Sequence, residues 1–286
     1  MYFFQRTNWR RLSVALLSGT AGFGMAFASP ASIAKAADAS FVEQSPEPPF
    51  DQERFNPQPQ RSWSLIIGAG GSYEPEYEGS DEYKLSPVPV FVFTYGEWFE
   101  IDPSGVTITA FEHNGFALAG RVGYESGRDE DDSDRLRGLG KIDLAATVGA
   151  KASYTWNNLE IYAAIDQTID GSESLIGTFG AEYKAPVTER LILGAGVEAV
   201  VANDKHMQAY FGVTAAQSAS SGLAEYKAEA GLKRIDVSAS ATYMLTENWL
   251  VRGEAGVGLL TGDAADSPIV EKEVQPSASL FVGYKF

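Results

Sequence analysis

Two histidines, one acidic run and a set of charges on alternating residues are the chemistry this 286-residue chain offers. There is no cysteine, so thiol nucleophiles, disulfides and thiolate metal sites are excluded. A serine nucleophile would need His113 or His206 beside it as base. His113 falls in a tight turn, His113-Asn114-Gly115, where a solvated residue tolerates unusual backbone angles. His206 falls in a long loop. The topology below puts the two at opposite ends of the molecule and neither on a strand wall. The expectation is no catalytic residue and no cofactor.

The acidic run is Asp129-Glu130-Asp131-Asp132-Ser133-Asp134. Its oxygens suit Ca²⁺, or the Mg²⁺ that bridges lipopolysaccharide. It lacks the spaced glycine and terminal glutamate of a calcium loop, so a solvated loop is the preferred reading and no metal site is expected. Asp263 and Asp266 carry the same ambiguity, because turn formation before Pro268 explains them equally well.

The alternating charges depend on the elements that carry them. Backwards from the last residue, Phe286, Tyr284, Val282, Leu280 and Ala278 share one face, while Lys285, Gly283, Phe281, Ser279 and Ser277 share the other. This is a period-2 strand with an aromatic end. Ile142 to Trp156, Leu159 to Ile165, Leu175 to Tyr183, Leu191 to Val201, Ile235 to Tyr243 and Val251 to Leu259 alternate in the same way. None shows the i, i+3, i+4 spacing of an amphipathic helix. The segment 141–156 is too long for an average soluble strand, and Tyr154 and Trp156 end its apolar face where an interfacial girdle would sit.

Strands are expected at 63–73, 84–94, 97–101, 105–112, 116–125, 141–156, 159–169, 173–186, 190–201, 229–245, 249–260 and 275–286. Pro87 and Pro89 weaken the second, since proline cannot donate to a ladder. Short turns at 95–96, 113–115, 157–158, 188–189 and 246–248 alternate with longer loops at 74–83, 126–140, 202–228 and 261–274. Tighter links at 102–104 and 170–172 complete the set. That sidedness belongs to an outer-membrane barrel with its short turns in the periplasm. The fold class is therefore all-β, a closed antiparallel transmembrane β-barrel of about twelve strands, with ten or fourteen open. Met207 to Thr214 is the candidate extra strand, left in a loop because an odd count would move one terminus outside.

The amino terminus agrees. Arg6, Arg10 and Arg11 precede the apolar stretch Leu12 to Phe27, with small-residue sites at Ala34-Lys35-Ala36 and Ala37-Asp38-Ala39. Residues 1–39 read as a secretory signal peptide. Removing them takes four basic residues and one acid, so the 22 basic and 38 acidic residues become 18 and 37, net −19. That charge argues against nucleic acid as a partner. Residues 40–61, with five prolines, read as a disordered or extended periplasmic tail, and 62–286 as the barrel.

Seven acids and five bases fall on the inward faces: Asp143, Glu160, Asp166, Glu182, Glu198, Asp236 and Glu254 against Lys151, Lys184, Arg234, Arg252 and Lys285. Mixed signs at close quarters predict a salt-bridged, largely occluded lumen rather than a diffusion pore. Inward glycines at 149, 180, 194, 196, 256 and 258 leave space and keep a narrow channel open as the alternative.

Three segments, in order and spacing, resemble a known family. They are Gly79-Ser80-Asp81-Glu82-Tyr83 with Pro87-Val88-Pro89; Tyr210-Phe211-Gly212-Val213 with Gln217, Ser221-Gly222-Leu223 and Tyr226; and Gly262 to Ile269 ahead of the Tyr284-Lys285-Phe286 ending. The chain over 63–286 is similar to the MipA/OmpV family. That resemblance implies an outer-membrane barrel in contact with lipid and lipopolysaccharide. For the best-known member it implies a scaffold joining a murein hydrolase, a lytic transglycosylase, to a penicillin-binding protein. Other members are described as surface antigens or suspected channels. Phe286 and Tyr284 look like the carboxyl-terminal signal read by the barrel-assembly machinery.

Overall fold

The computed structural model describes residues 62–169 and 171–286. The expected signal peptide at 1–39 and the expected tail at 40–61 lie outside the described residues. Twelve antiparallel strands close into one barrel, each pairing with its sequence neighbours and β1 with β12. They are β1 (Trp63–Pro75), β2 (Tyr83–Tyr95), β3 (Phe99–Asp102), β4 (Gly105–His113), β5 (Phe116–Glu125), β6 (Ala145–Trp156), β7 (Leu159–Ile169), β8 (Leu175–Pro186), β9 (Leu191–Ala202), β10 (Gly231–Met244), β11 (Trp249–Leu260) and β12 (Val274–Lys285).

Closure satisfies the backbone groups that lipid cannot, except along the far edge of β2 described below. At the β1–β12 seam Gly70 faces Phe281 across the ladder. A Cβ on Gly70 would stand 2.4 Å from the Phe281 Cβ, so only glycine lets this inward ring lie against the wall. The last amide is also used, with Phe286 N–H donating to Leu65 O at 2.9 Å.

The outward faces carry exposed apolar residues such as Ile67, Phe91, Val122, Ile165, Phe179, Val237 and Leu280. Trp63, Tyr95, Trp98, Tyr154, Trp156, Tyr183, Tyr243 and Trp249 are exposed at the short-turn end. This is an apolar band with an aromatic girdle at the periplasmic interface. Asn114 (φ 49) with Gly115 (φ 83), and Asn157 (φ 54), take the left-handed conformations that tight hairpins require. The unusual angles expected near His113 thus fall on its two successors, and His113 itself ends β4.

Three expectations need correction. The sixth strand starts at Ala145, not 141. Ile142 makes an isolated bridge to Arg128 instead, and Leu144 is 67% exposed. The segment around Met207 lies in a connection and is no strand, as expected, but the connection is helical rather than irregular: α1 (Asp204–Phe211) and α2 (Ala215–Ser221) fill the β9–β10 connection, with α3 (Gly262–Ala265) in the β11–β12 connection. Asn203 starts α1 by accepting the His206 N–H, and a Thr214/Gln217 capping box starts α2. The third correction concerns β2.

β2 pairs with β1 along its whole length but with β3 only from Phe93 to Tyr95. Above Phe93 its far edge has no ladder partner among the described residues, because β3 is four residues long and turns back at Asp102 to Gly105. Pro87 and Pro89 lie opposite Gly71 and Ala69. Lacking an N–H, both must occupy non-hydrogen-bonded positions whose nitrogen points away from β1, toward the missing partner. The prolines do not weaken the strand; they delete donors where none could be satisfied.

Candidate functional site

The lumen is built from the inward alternate residues. Lys151 Nζ lies 2.8 Å from Glu160, Lys184 Nζ 3.0 Å from Glu182, Arg252 2.8 Å from Glu254 and Arg234 2.8 Å from Asp236. Asp166 pairs with Arg121 at 3.2 Å, a cation on β5 that sequence reading missed. The alternation of β5 could have found it, since Arg121 shares a face with Ala117, Ala119 and Gly123. Glu198 has a different partner: Tyr162 donates to it at 2.6 Å from two strands away. Asp143 is not in the lumen. It precedes β6, and its side chain is 80% exposed beside Lys141.

Several inward glycines are filled by neighbours, while Gly256 and Gly258 also line the cavity described below. Cβ atoms on Gly180, Gly149 and Gly258 would meet the Tyr162 ring at 2.3 Å, Asp166 at 2.1 Å and Asp236 at 2.7 Å. Each glycine seats a neighbouring strand's lumenal side chain. In the periplasmic half, Ile66, Val88, Val90, Val92, Met244, Leu250 and Phe281 form a buried apolar cluster on the inner wall.

The extracellular mouth is covered. Met207, Tyr210 and Phe211 of α1 pack with Ala228, Leu260 and Ala264, while Tyr77, Leu136, Leu139, Val213 and Ile269 form an adjoining cluster. Apart from Leu260, which ends β11, these residues come from the β1–β2, β5–β6, β9–β10 and β11–β12 connections, on opposed sides of the ring, so the cap crosses the lumen. The three segments that carried the resemblance meet here. Gly79 N–H donates to Gln275 at 3.1 Å, Ser267 donates to Phe211 O at 2.6 Å, Tyr226 to Asp263 O at 3.0 Å and Tyr77 to Ile269 O at 3.0 Å.

Beneath the cap lies a buried polar cluster centred on His206, which is at the opposite end from His113 as expected. His206 Nδ1 is 2.9 Å from Ser174 Oγ and 3.6 Å from Glu125, and its ring stacks on Tyr210 at 4.5 Å. Its Nε2 is 3.4 Å from Lys233 Nζ. The ammonium is a donor, so Nε2 accepts and the proton sits on Nδ1, facing Ser174 and Glu125. Glu125 also accepts from Ser172 and Tyr210 at 2.7 and 2.8 Å. Lys233 reaches Glu78 at 3.1 Å and Arg234 reaches it at 3.0 Å. Desolvation and the nearby Lys233 hold the imidazole below the ordinary histidine range, against the pull of Glu125 and Glu78. Burial alone would raise Glu78, but Lys233, Arg234 and His206 hold it below the usual carboxylate range. Sequence reading left His206 in a long loop; the Asn203-Asp204 cap ahead of it was the available sign of a helix.

The acidic residues of the loops organise those loops. Asp132 accepts the Asp129 N–H at 2.9 Å, Glu130 accepts from Gly138 and Gly140 at 3.0 and 3.2 Å, and Asp263 accepts the Glu229 N–H at 2.7 Å. Among the described residues no cluster of three or more His, Cys, Asp or Glu has the arrangement to hold a metal ion. A cavity of about 300 Å³ remains in the extracellular half of the lumen, against β1, β10, β11 and β12 and the segment after β5.

Fold and site together define an outer-membrane β-barrel with a charge-paired lumen and a folded extracellular cap. The sequence profile of the family described as "MltA-interacting protein MipA" matches residues 67–286, and the chain belongs to that family. A relative named "Putative outer membrane protein YiaT", from Escherichia coli (strain K12), is 25% identical over 228 residues, covering 78% of this chain and 91% of the relative. Among solved structures, the NanC porin aligns with TM-score 0.44 and 8% identity over 77% of this chain and 100% of its own. OmpT, an outer membrane protein of Vibrio cholerae, aligns with TM-score 0.37 and 8% identity over 79% of this chain and 98% of its own.

Proposed function

We propose that this barrel is a non-catalytic, non-conducting scaffold of the outer membrane that holds peptidoglycan-remodelling enzymes, a lytic transglycosylase and a penicillin-binding protein, at its periplasmic face. The observation that carries the reading is the occupied lumen. Most inward charges are paired within about 3 Å, the exceptions among the described residues being Glu198, held by Tyr162, and Lys285; the inner wall of β1, β2 and β12 is apolar and packed, and the cap crosses the mouth. Pairing and packing in a barrel of this strand number close the bore. The family description, an MltA-interacting protein, supports a murein-hydrolase partner. The Ser174–His206 pair is buried, with its proton directed the wrong way for base catalysis, which supports the non-catalytic part. The contact surface would be the short turns, and the tail at 40–61 is the other candidate segment.

The competing reading, a narrow channel for small solutes, is favoured by one observation, the cavity under the cap. Planar-bilayer recording separates the two. A silent barrel supports the scaffold; steady single-channel currents overturn it. Photocrosslinking from Asn157 and Glu247, both in short turns, should recover a murein hydrolase or a penicillin-binding protein, and recovery of neither counts against the partner assignment.

A further inference from the structure

The lumenal cavity gathers charges of both signs, not all of which its wall pairs with one another. Six carboxylates line it, those of Glu74, Glu76, Glu78, Asp132, Asp236 and Glu254, against three cations, Lys84, Arg128 and Arg234. Arg234 is saturated by Glu78 and Asp236. Lys84 is exposed and donates to the Glu76 carbonyl at 3.0 Å. Arg128 is the exception. It is 7% exposed, and no carboxylate lies within 4.0 Å of it among the described residues, Asp132 acting on it only from farther off. Its Nη1 donates to Tyr210 O at 2.7 Å, and its Nε is buried without a partner. On the same cavity, Glu74 accepts only from Ser72, at 3.4 Å, and neither Glu74 nor Glu76 ion-pairs with a cation among the described residues.

A buried guanidinium without a counter-ion is costly, and carboxylates lay within the same cavity to pair with it. The wall holds them apart instead. We infer that the cavity is a binding site for a small zwitterionic solute, of the amino-acid class. The solute's carboxylate would sit on Arg128 and its ammonium on Glu74 and Glu76. A simple anion would meet a net-negative wall. A simple cation would leave Arg128 buried and unpaired. A zwitterion satisfies both, and 300 Å³ is at the small end of ligand sites, enough for a compact solute and too little for an oligosaccharide. Lys84, which lines the cavity, is exposed, so that part of the wall meets solvent.

The test uses the folded barrel in detergent micelles, with glycine, β-alanine and 4-aminobutyrate as probes of increasing charge separation. Propionate and propylammonium serve as single-charge controls. Ligand-observed NMR and calorimetric titration should show saturable binding of at least one amino acid, tighter than either control. Arg128→Gln should weaken that binding roughly tenfold or more, with Arg128→Lys retaining part of it, and the pair Glu74→Gln, Glu76→Gln should weaken it similarly. Heat-shifted gel mobility confirms that each variant is folded. Saturable binding of no zwitterion overturns the proposal. So does binding unchanged by Arg128→Gln in a folded variant, and so does propionate or propylammonium binding as tightly as the amino acids.

Discussion

Ser174 Oγ lies 2.9 Å from His206 Nδ1, and both residues are fully buried. The distance is that of a nucleophile–base pair, but the assignment of protons is reversed. Lys233 occupies the far nitrogen, so the near one carries the hydrogen and donates to the serine. The same imidazole lies between the acceptor Glu125 and the donor Lys233, which ties β5, α1 and β10 together. The cluster therefore holds the cap to the barrel wall.

Replacing His206 by alanine should leave Glu125 and Lys233 buried without their bridge. The expected cost is on the order of 2–4 kcal/mol. Thermal unfolding followed by heat-shifted gel mobility should show a lower transition. An unchanged transition would mean that the cap is not fastened at this point.

The pH dependence has a definite sign. Native His206 takes up a proton less readily than the unfolded chain, whose histidine titrates near ~6.5. In the window between that value and the lower native one, the unfolded state holds more protons, so stability falls as pH falls. Glu78, held low in the native state, adds a second loss below its ordinary range near ~4.5. Melting temperature measured from pH 8 to 4 should be flat at first and then decline, with the first decline absent in His206→Gln.

Much of this barrel was legible in the sequence because period-2 alternation is a local signal. The β5, β7 and β11 ranges agree with expectation, as do the paired lumenal charges. What escaped was set by tertiary contacts. Asp143 and Leu144 continue the alternation of β6, yet the chain leaves the wall there because Ile142 bridges to Arg128. The cap helices are short, and their buried faces are defined by four connections distant in sequence. His206, Ser174 and Glu125 are brought together from three separate elements, so no spacing along the chain could announce them.

Gly180 and Tyr162 offer a test of the filled lumen. The phenol ring lies over Gly180 and its hydroxyl donates to Glu198. Gly180→Val should displace the ring, break that bond and strand a buried carboxylate. A destabilisation of about 2–3 kcal/mol is expected, read as a lower thermal transition, with Tyr162→Phe showing a smaller loss. If Gly180→Val is silent, the ring has room to move and the lumen is less filled than described.

Phe286 closes the ladder on Leu65 and packs edge-on against Tyr284 at 4.8 Å. Phe286→Asp places a charge at the lipid interface and removes the aromatic end that resembles an assembly signal. Outer-membrane yield should fall several-fold, with the protein accumulating in the periplasm or being degraded. Tyr284→Ala should give a milder defect in the same direction. Normal yield of both variants would remove the assembly role of this ending.

The unpaired edge of β2 gives the last prediction. Pro87 and Pro89 face away from β1, in the stretch where β3 is absent. In lipid an unbonded N–H costs several kcal/mol, because neither water nor a partner strand can take it. Replacing both prolines by valine keeps the apolar outward faces and improves strand propensity, which in an ordinary sheet would stabilise. Here it adds two donors without acceptors. The double variant should therefore be less stable, by roughly 1–3 kcal/mol for each donor, despite its better propensity. Thermal mobility shift in micelles and in bilayers separates the causes: the loss should be larger in bilayers, where water cannot reach the edge. A double variant as stable as the parent in both would mean that the edge meets water or another strand, and that the wall between β2 and β4 is closed in the membrane.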